Sequence, residues 1–249
     1  MTLRNSFRRM AAALAYAGAA VILLLAGPPA TAQSLSVLPV NILFSPGQKA
    51  SSLTITNMGT SETAIQIRAF AWAQKDDEDQ LTDSVAVVLS PPLATIAPGA
   101  SQVVRLILRQ LPQGREATYR ILIDQIPPPA EPGIVHMVLR MSIPIFAEPS
   151  TRAVPHVQFH LAVDSGKLVL VGINDGLSHE VIRDVVLTTS DGRKLKGESN
   201  DSSYILAGVT RRWAIAAEGP LPLPGETLQL TAHTDAGVIQ QQVGFVTAP

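Results

Sequence analysis

The chain has no cysteine among its 249 residues. No disulfide can therefore brace it, and a Cys-based metal or redox centre is excluded. Beyond the first thirty-odd residues it also lacks any uninterrupted apolar run of the roughly 18 residues that a membrane-spanning helix needs. There is no G-x-S-x-G elbow to raise a nucleophilic serine and no Gly-rich loop opening a helix to cradle phosphate. No segment shows a convincing amphipathic helical period. Nor is there an excess of positive charge, since 19 Lys and Arg stand against 20 Asp and Glu. Such a balance offers no field for a polyanion and argues against nucleic acid as a partner.

What the N-terminus does have is Arg4, Arg8 and Arg9 ahead of the run AAALAYAGAAVILLLAG, closing on Ala30-Thr31-Ala32. A positive n-region, an apolar stretch and an A-x-A site predict a secretory signal over residues 1–32, with an uncleaved anchor as the alternative. Cleavage before Gln33 takes 19 basic and 20 acidic residues to 16 and 20, a formal charge of about −4. The mature chain is then expected in an extracytoplasmic compartment with no stable membrane insertion.

From Leu35 onward, short apolar-alternating runs are punctuated by Gly, Pro and Asn. SSLTITN (51–57), AIQIRAFAW (64–72), SQVVRLIL (101–108) and TYRILIDQI (118–126) read as strands, separated by turns such as SPGQ, NMGTSE and APGA and by a charged KDDEDQ loop. IVHMVLRMSIPIFAEP (134–149) is the longest alternation: Val135, Met137, Leu139, Met141 and Ile143 share one face, His136, Val138, Arg140 and Ser142 the other. A second set of strands follows Glu148-Pro149-Ser150. The pattern predicts an all-β chain of two β-sandwiches over 33–149 and 150–249, joined by a short linker that holds a groove between them.

Candidate chemistry is sparse. His156 and His160 sit four residues apart, but on a strand that places them about 13 Å from each other, too far to share one metal ion. The acidic run Asp76–Asp79 lacks the spacing of a calcium loop and reads as a solvated hairpin tip. Neither a cofactor nor an enzymatic activity is implied. Arg120 is different, because it interrupts the apolar strand Tyr119-Arg120-Ile121-Leu122-Ile123. A desolvated cation wants an anion. That anion is either internal or a ligand's, an edge exposure being the third option, and Arg105 in Val103-Val104-Arg105-Leu106 raises the same question.

Taken in order, Ile55-Thr56-Asn57, Ala71-Trp72, Ser90-Pro91-Pro92, Pro98-Gly99, Val104-Arg105-Leu106, Arg115-Glu116, Ile126-Pro127, the long stripe to Phe146 and the Thr234-Asp235-Ala236-Gly237 turn form a recognisable series. Over nearly all of its mature length the chain resembles the PapD-like periplasmic pilus chaperones of chaperone–usher systems. The resemblance implies two immunoglobulin-like domains in an L or boomerang and a folding factor that caps pilin subunits by donor-strand complementation. Such addition of an extended segment to a sheet edge is a known mode of peptide recognition. It further implies that Val135, Met137, Leu139 and Met141 are donated to the subunit, and that the complex is delivered to an outer-membrane usher from the periplasm. Two basic residues that anchor the subunit's C-terminal carboxylate in well-known members fall here on Asn41 and Pro144, which carry no charge. In this the chain resembles the archaic branch associated with spore-coat-U-like subunits, and Arg120, helped by Asn41, is the expected anchor. Arg105, Glu116 and Asp235 match the family's interdomain charge cluster. The alternative function is a structural or adhesive surface protein built from the same sandwich modules.

Overall fold

The structure, a computed structural model, describes residues 35–129, 133, 137–198, 202–216, 222, 223 and 225–245. The signal read over residues 1–32 and the first stripe residue, Val135, lie outside the described residues. Strands in the first half are β1 (Leu35–Leu38), β2 (Ile42–Phe44), β3 (Ala50–Asn57), β4 (Thr63–Lys75), β5 (Glu78–Asp83), β6 (Val87–Ser90), β7 (Leu93–Ile96), β8 (Ser101–Leu108), β9 (Ala117–Ile126) and β10 (Arg140–Ala147). They form two sheets, one in the order β1-β3-β8-β6, the other in the order β2-β10-β9-β4-β5 with β7 also on β4. Between them lies a core of period-two residues, among them Ile55 on β3, Ile65 and Ile67 on β4, Leu106 on β8, Ile121 and Ile123 on β9, and Ile143 and Ile145 on β10. Burying each such side chain fully is worth about 1.5–3 kcal/mol, which is why the alternation in these runs fixes which face points inward.

The second half contributes β11 (Val157–Asp164), β12 (Lys167–Asn174), β13 (Glu180–Val181), β14 (Arg183–Thr188), β15 (Lys194–Gly197), β16 (Tyr204–Ile205), β17 (Val209–Ala216), β18 (Thr227–Thr234) and β19 (Gly237–Gly244). Seven of these run in the order β11-β12-β17-β15-β14-β18-β19, and β13 pairs with β16. A bridge between Leu161 and Phe245 brings the two outer strands together. Leu161, Leu170, Leu187, Trp213 and Leu230 thus meet in one core. Among the described residues, no strand ladder joins the sheets of residues 35–147 to those of residues 157–244.

The acidic run Asp76–Asp79, read as a solvated hairpin tip, does form one, but a tighter one: the chain reverses at Asp76 and Asp77, both at positive φ (54° and 65°), and Lys75 already faces Glu78 across a two-residue turn. That backbone suits a tight hairpin, and aspartate tolerates it better than most residues. β5 has no apolar alternation because it is an edge strand with every residue exposed, so its sequence carried no strand signal.

Each domain also repeats one polar device. Asn57 Nδ2 donates to the carbonyls of Ser61 (2.7 Å) and Ile96 (2.9 Å), while its Oδ1 accepts from the Gly59 N–H (2.9 Å). Asn174 does the same in the second domain, donating to Ser178 (2.8 Å) and Ile205 (3.0 Å) and accepting from Gly176 (3.1 Å). Both side chains are buried, so each satisfies backbone groups that water cannot reach. Asn57→Ala is expected to orphan two carbonyls and an N–H and to lower unfolding free energy by about 3 kcal/mol. Urea titration checks this, and an unchanged midpoint would show that other partners take over.

Candidate functional site

β10 is covered unequally along its two edges. β9 pairs with all of it, from Arg140 opposite Asp124 to Ala147 opposite Ala117. β2 lies parallel to it only over Ile145–Ala147. The edge of residues 140–144 that faces away from β9 therefore has no strand beside it among the described residues. The pairing with β9 continues one residue upstream, where the Gln125 N–H donates to the Leu139 carbonyl (2.9 Å) and Leu139 N–H to Gln125 Oε1 (3.2 Å).

Because side chains two apart share a face, the stripe is the core face of β10 carried past the end of the core. Ile145 and Ile143 are buried at 0% and 7% exposure, Met141 is half-buried against the core, and Leu139 and Met137 rise to 42% and 91%. On the opposite face Arg140 pairs with Asp124, which also takes Arg68 Nη2 at 2.7 Å. Burial would raise the Asp124 pKa, but the two guanidinium hydrogen bonds outweigh it and hold the carboxyl below its usual range. This pair of ion pairs fixes β10 where it leaves the core.

The outer face of the same sheet carries the second part of the site. Register places Phe70, Arg120 and Pro144 in one row across β4, β9 and β10. Continued one residue beyond β2, where Ile42 faces Ile145, the row reaches Asn41, which is exposed and some two strand spacings, about 10 Å, from Arg120. The Arg120 guanidinium lies over the Trp72 ring at 3.8 Å and pairs through Nη2 with Asp79 Oδ2 at 3.3 Å. Burial pulls its pKa below the ordinary arginine value, and Asp79 opposes that shift. Arginine remains charged in any such setting. The internal ion pair foreseen as one option for Arg120 is thus present.

Around Trp72 the two domains meet. Phe146, on the outer face of β10, stacks on His179 at 3.5 Å and 10°, and Trp72 meets Tyr204 edge-on at 5.4 Å. His179 Nδ1 lies 2.9 Å from both oxygens of Glu116, whose side chain is buried. Gln74 Oε1 accepts from the Leu206 N–H (3.0 Å), while its Nε2 donates to the Tyr204 carbonyl (3.0 Å) and to Asp79 (2.9 Å). The hairpin tip docks as well: Asp77 accepts from the Arg212 N–H at 2.8 Å and from its Nη1 at 3.3 Å. Asp79 lies 3.6 Å from Nη1 of Arg211, which is 1% exposed.

These contacts correct the expected interdomain cluster. Of Arg105, Glu116 and Asp235, only Glu116 bridges the domains, and its partner is His179. Asp235 pairs with Arg183 of its own domain at 2.5 Å, both largely exposed. Arg105 is exposed on β8, between Ser52 and Ser90 of the neighbouring strands, with no ion pair among the described residues. The charges that do cross are Asp77 and Asp79 with Arg212 and Arg211. Arg211 was legible in one respect, since in Val209-Thr210-Arg211-Arg212-Trp213 it shares the inward parity of Trp213 and Ile215. His179 and Asp79 gave no such signal, because their partners come from the other domain.

Two β-sandwich domains meeting across a small aromatic and charged contact, with one edge strand left open beside the cleft, define a two-domain immunoglobulin-like class. Residues 34–153 match the family described as the pili and flagellar-assembly chaperone, PapD N-terminal domain. The chain is 27% identical over 144 residues to the chaperone protein FimB/FhaD of Bordetella pertussis, covering 53% of this chain and 57% of that one. It is 26% identical over 113 residues to the chaperone protein PapD of Escherichia coli, covering 43% and 46%. The matched segments thus span about half the length of these curated relatives. In fold it is similar to the CsuC–CsuE chaperone–tip adhesion subunit complex from archaic chaperone–usher Csu pili of Acinetobacter baumannii. That likeness has a TM-score of 0.63 at 20% identity over 86% of this chain and 100% of the other.

Two outcomes follow for the domain contact. Phe146→Ala removes the ring shared by Trp72, Tyr204 and His179 and is expected to cost about 3–5 kcal/mol and to split calorimetric melting into two transitions. Asp235→Ala, by contrast, removes an exposed pair and should change stability by less than about 1 kcal/mol. A single unshifted transition for Phe146→Ala would show that the domains do not stabilise each other through this contact.

Proposed function

We propose that the protein is a periplasmic chaperone that caps pilin-like subunits, of the spore-coat-U-like kind, by donor-strand complementation and delivers them to an outer-membrane usher. The observation that carries this reading is the stripe itself, the core face of β10 continuing into the exposed Leu139 and Met137 beside a strand edge with no neighbour among the described residues. An open sheet edge offers backbone hydrogen bonds, and alternate side chains offer knobs for a groove. Val135, Met137, Leu139 and Met141 are the residues we assign to the subunit's groove. Two methionines suit a filler that accepts more than one subunit, since the thioether chain adapts its shape. Three or four such side chains at about 1.5–3 kcal/mol each outweigh the ordering of a short segment.

Arg120, at the cleft end of the same strand pair, is our anchor for the subunit's C-terminal carboxylate, with Asn41 as a neutral donor in the same row. Similarity to PapD and to a chaperone solved with a tip subunit supports this reading. A structural or adhesive surface protein fits less well. An apolar strand edge left open is an aggregation hazard that a permanently displayed protein would blunt with charge or proline.

Leu139→Glu is expected to leave secretion and folding intact, because the side chain is already part-exposed, and to abolish recovery of a complex with a small secreted immunoglobulin-like subunit. A carboxylate buried unpaired in the partner's groove would cost several kcal/mol. Normal complex yield from this variant would place the donated face on the other parity, with Val138 and Arg140.

A further inference from the structure

We propose that Asp79 is a placeholder for the incoming chain-terminal carboxylate, which displaces it from Arg120 onto Arg211. The inference rests on the reading of Arg120 as anchor and adds two residues, Asp79 and Arg211, to the capture step.

The Asp79 carboxylate lies between two guanidiniums, one from each domain. Asp79 Oδ2 is 3.3 Å from Arg120 Nη2 and Oδ1 is 3.6 Å from Arg211 Nη1. Charge-assisted hydrogen bonds from guanidinium to carboxylate normally close to about 2.7–2.9 Å. Asp79 therefore satisfies neither arginine fully. Arg211 shows the deficit most clearly: it is buried, its Nη2 donates to the Ser202 carbonyl at 3.2 Å, and its Nε and Nη1 have no hydrogen-bond partner among the described residues. Unpaired donors on a buried cation are costly. The indole Nε1 of Trp72, under Arg120, is likewise buried without a partner among the described residues.

A second carboxylate resolves this. Once a chain terminus occupies the Arg120 guanidinium, Asp79 is free to close on Arg211, and two cations then face two anions with a carboxylate for each. The movement is small. Asp79 lies on the edge strand β5, and the hairpin tip two residues away is held by Asp77 and Arg212, so a side-chain rotation suffices. Asp79 also stays beside Gln74, which bonds Tyr204 and Leu206 of the second domain. Transfer to Arg211 thus strengthens an interdomain contact at the moment of capture. Before capture, Asp79 keeps Arg120 neutralised, so that a stray anion must compete with it. A neutral chain end has nothing to displace it with.

The test uses the full mature chain and a synthetic ten-residue peptide of alternating valine and threonine, with a free C-terminal carboxylate or as the C-terminal amide, in calorimetric titration. The parent should prefer the acid, and Arg120→Ala should lose that preference. Asp79→Asn should bind the acid about tenfold more tightly than the parent and the amide equally, because hydrogen bonds to charged groups are worth about one such factor or more. Arg211→Gln should weaken the acid about tenfold and spare the amide, although Arg211 does not touch the peptide, since the displaced Asp79 then has no cation to receive it. If the acid preference is present and depends on Arg120, but Asp79→Asn binds the acid no better than the parent, the placeholder is overturned and the anchor stands. If the parent shows no acid preference, the anchor itself fails and the exchange with it. Should Asp79→Asn not fold, Arg211→Gln decides: equal loss for acid and amide, or no loss, overturns the exchange.

Discussion

Side chains two residues apart on a strand point the same way, and in β10 this ties the core of the first domain to the surface beyond it. Ile145 and Ile143 are held inside by the opposing sheet. Continued past the strand, the same parity carries the face to Leu139 and Met137, which are exposed. A one-residue slip would bury Arg140 and Ser142 and expose the isoleucines, so the core fixes the register of the exposed stripe as firmly as its own. The ion pairs of Asp124 with Arg140 and Arg68 act at the point of departure, on the other face.

That other face has its own division of labour. At the end near Ala147, Phe146 and Trp72 pack against Tyr204, Leu206 and His179 of the second domain, and the sheet becomes one wall of a joint. Further along, Arg120 stands at the boundary, part covered and part open. Its position explains its surroundings: an aromatic plane beneath it, a carboxylate from the adjoining hairpin beside it and a second arginine across the joint. A cation so placed is desolvated enough to be selective for an anion and accessible enough to exchange one. The joint also depends on Glu116 and His179, a buried carboxylate whose hydrogen-bond partner is an imidazole from the other domain.

Much of the fold was legible because the signals were local. Alternation in SQVVRLIL coincides with β8, whose buried residues follow from parity, and the apolar run of KLVLVGIN coincides with β12, buried on both faces from Leu168 to Gly172. What was not legible were elements whose burial is one-sided or absent, such as β5, with every residue exposed, and β2, three residues long. The stripe could be read as a strand, but its ordered ladder begins only at Arg140, because pairing needs a neighbour and sequence shows none.

For the site, the sequence by itself determined that an apolar stripe alternates with polar residues, that Arg120 sits among apolar neighbours and must find an anion, and that no thiol chemistry is available. It could not determine which charges meet. Arg105, Glu116 and Asp235 each resemble members of a cluster, yet they end on different faces with different partners or none. Asp79 was one acid in a charged run, and only the docking of the hairpin against the second domain set it between Arg120 and Arg211. Ion pairing depends on separations of a few ångströms between residues distant in the chain, here 41 positions apart for Arg120 and Asp79 and more than a hundred for Asp79 and Arg211. Periodicity along one strand encodes which way a side chain points; what it points at is decided by the packing of strands and domains.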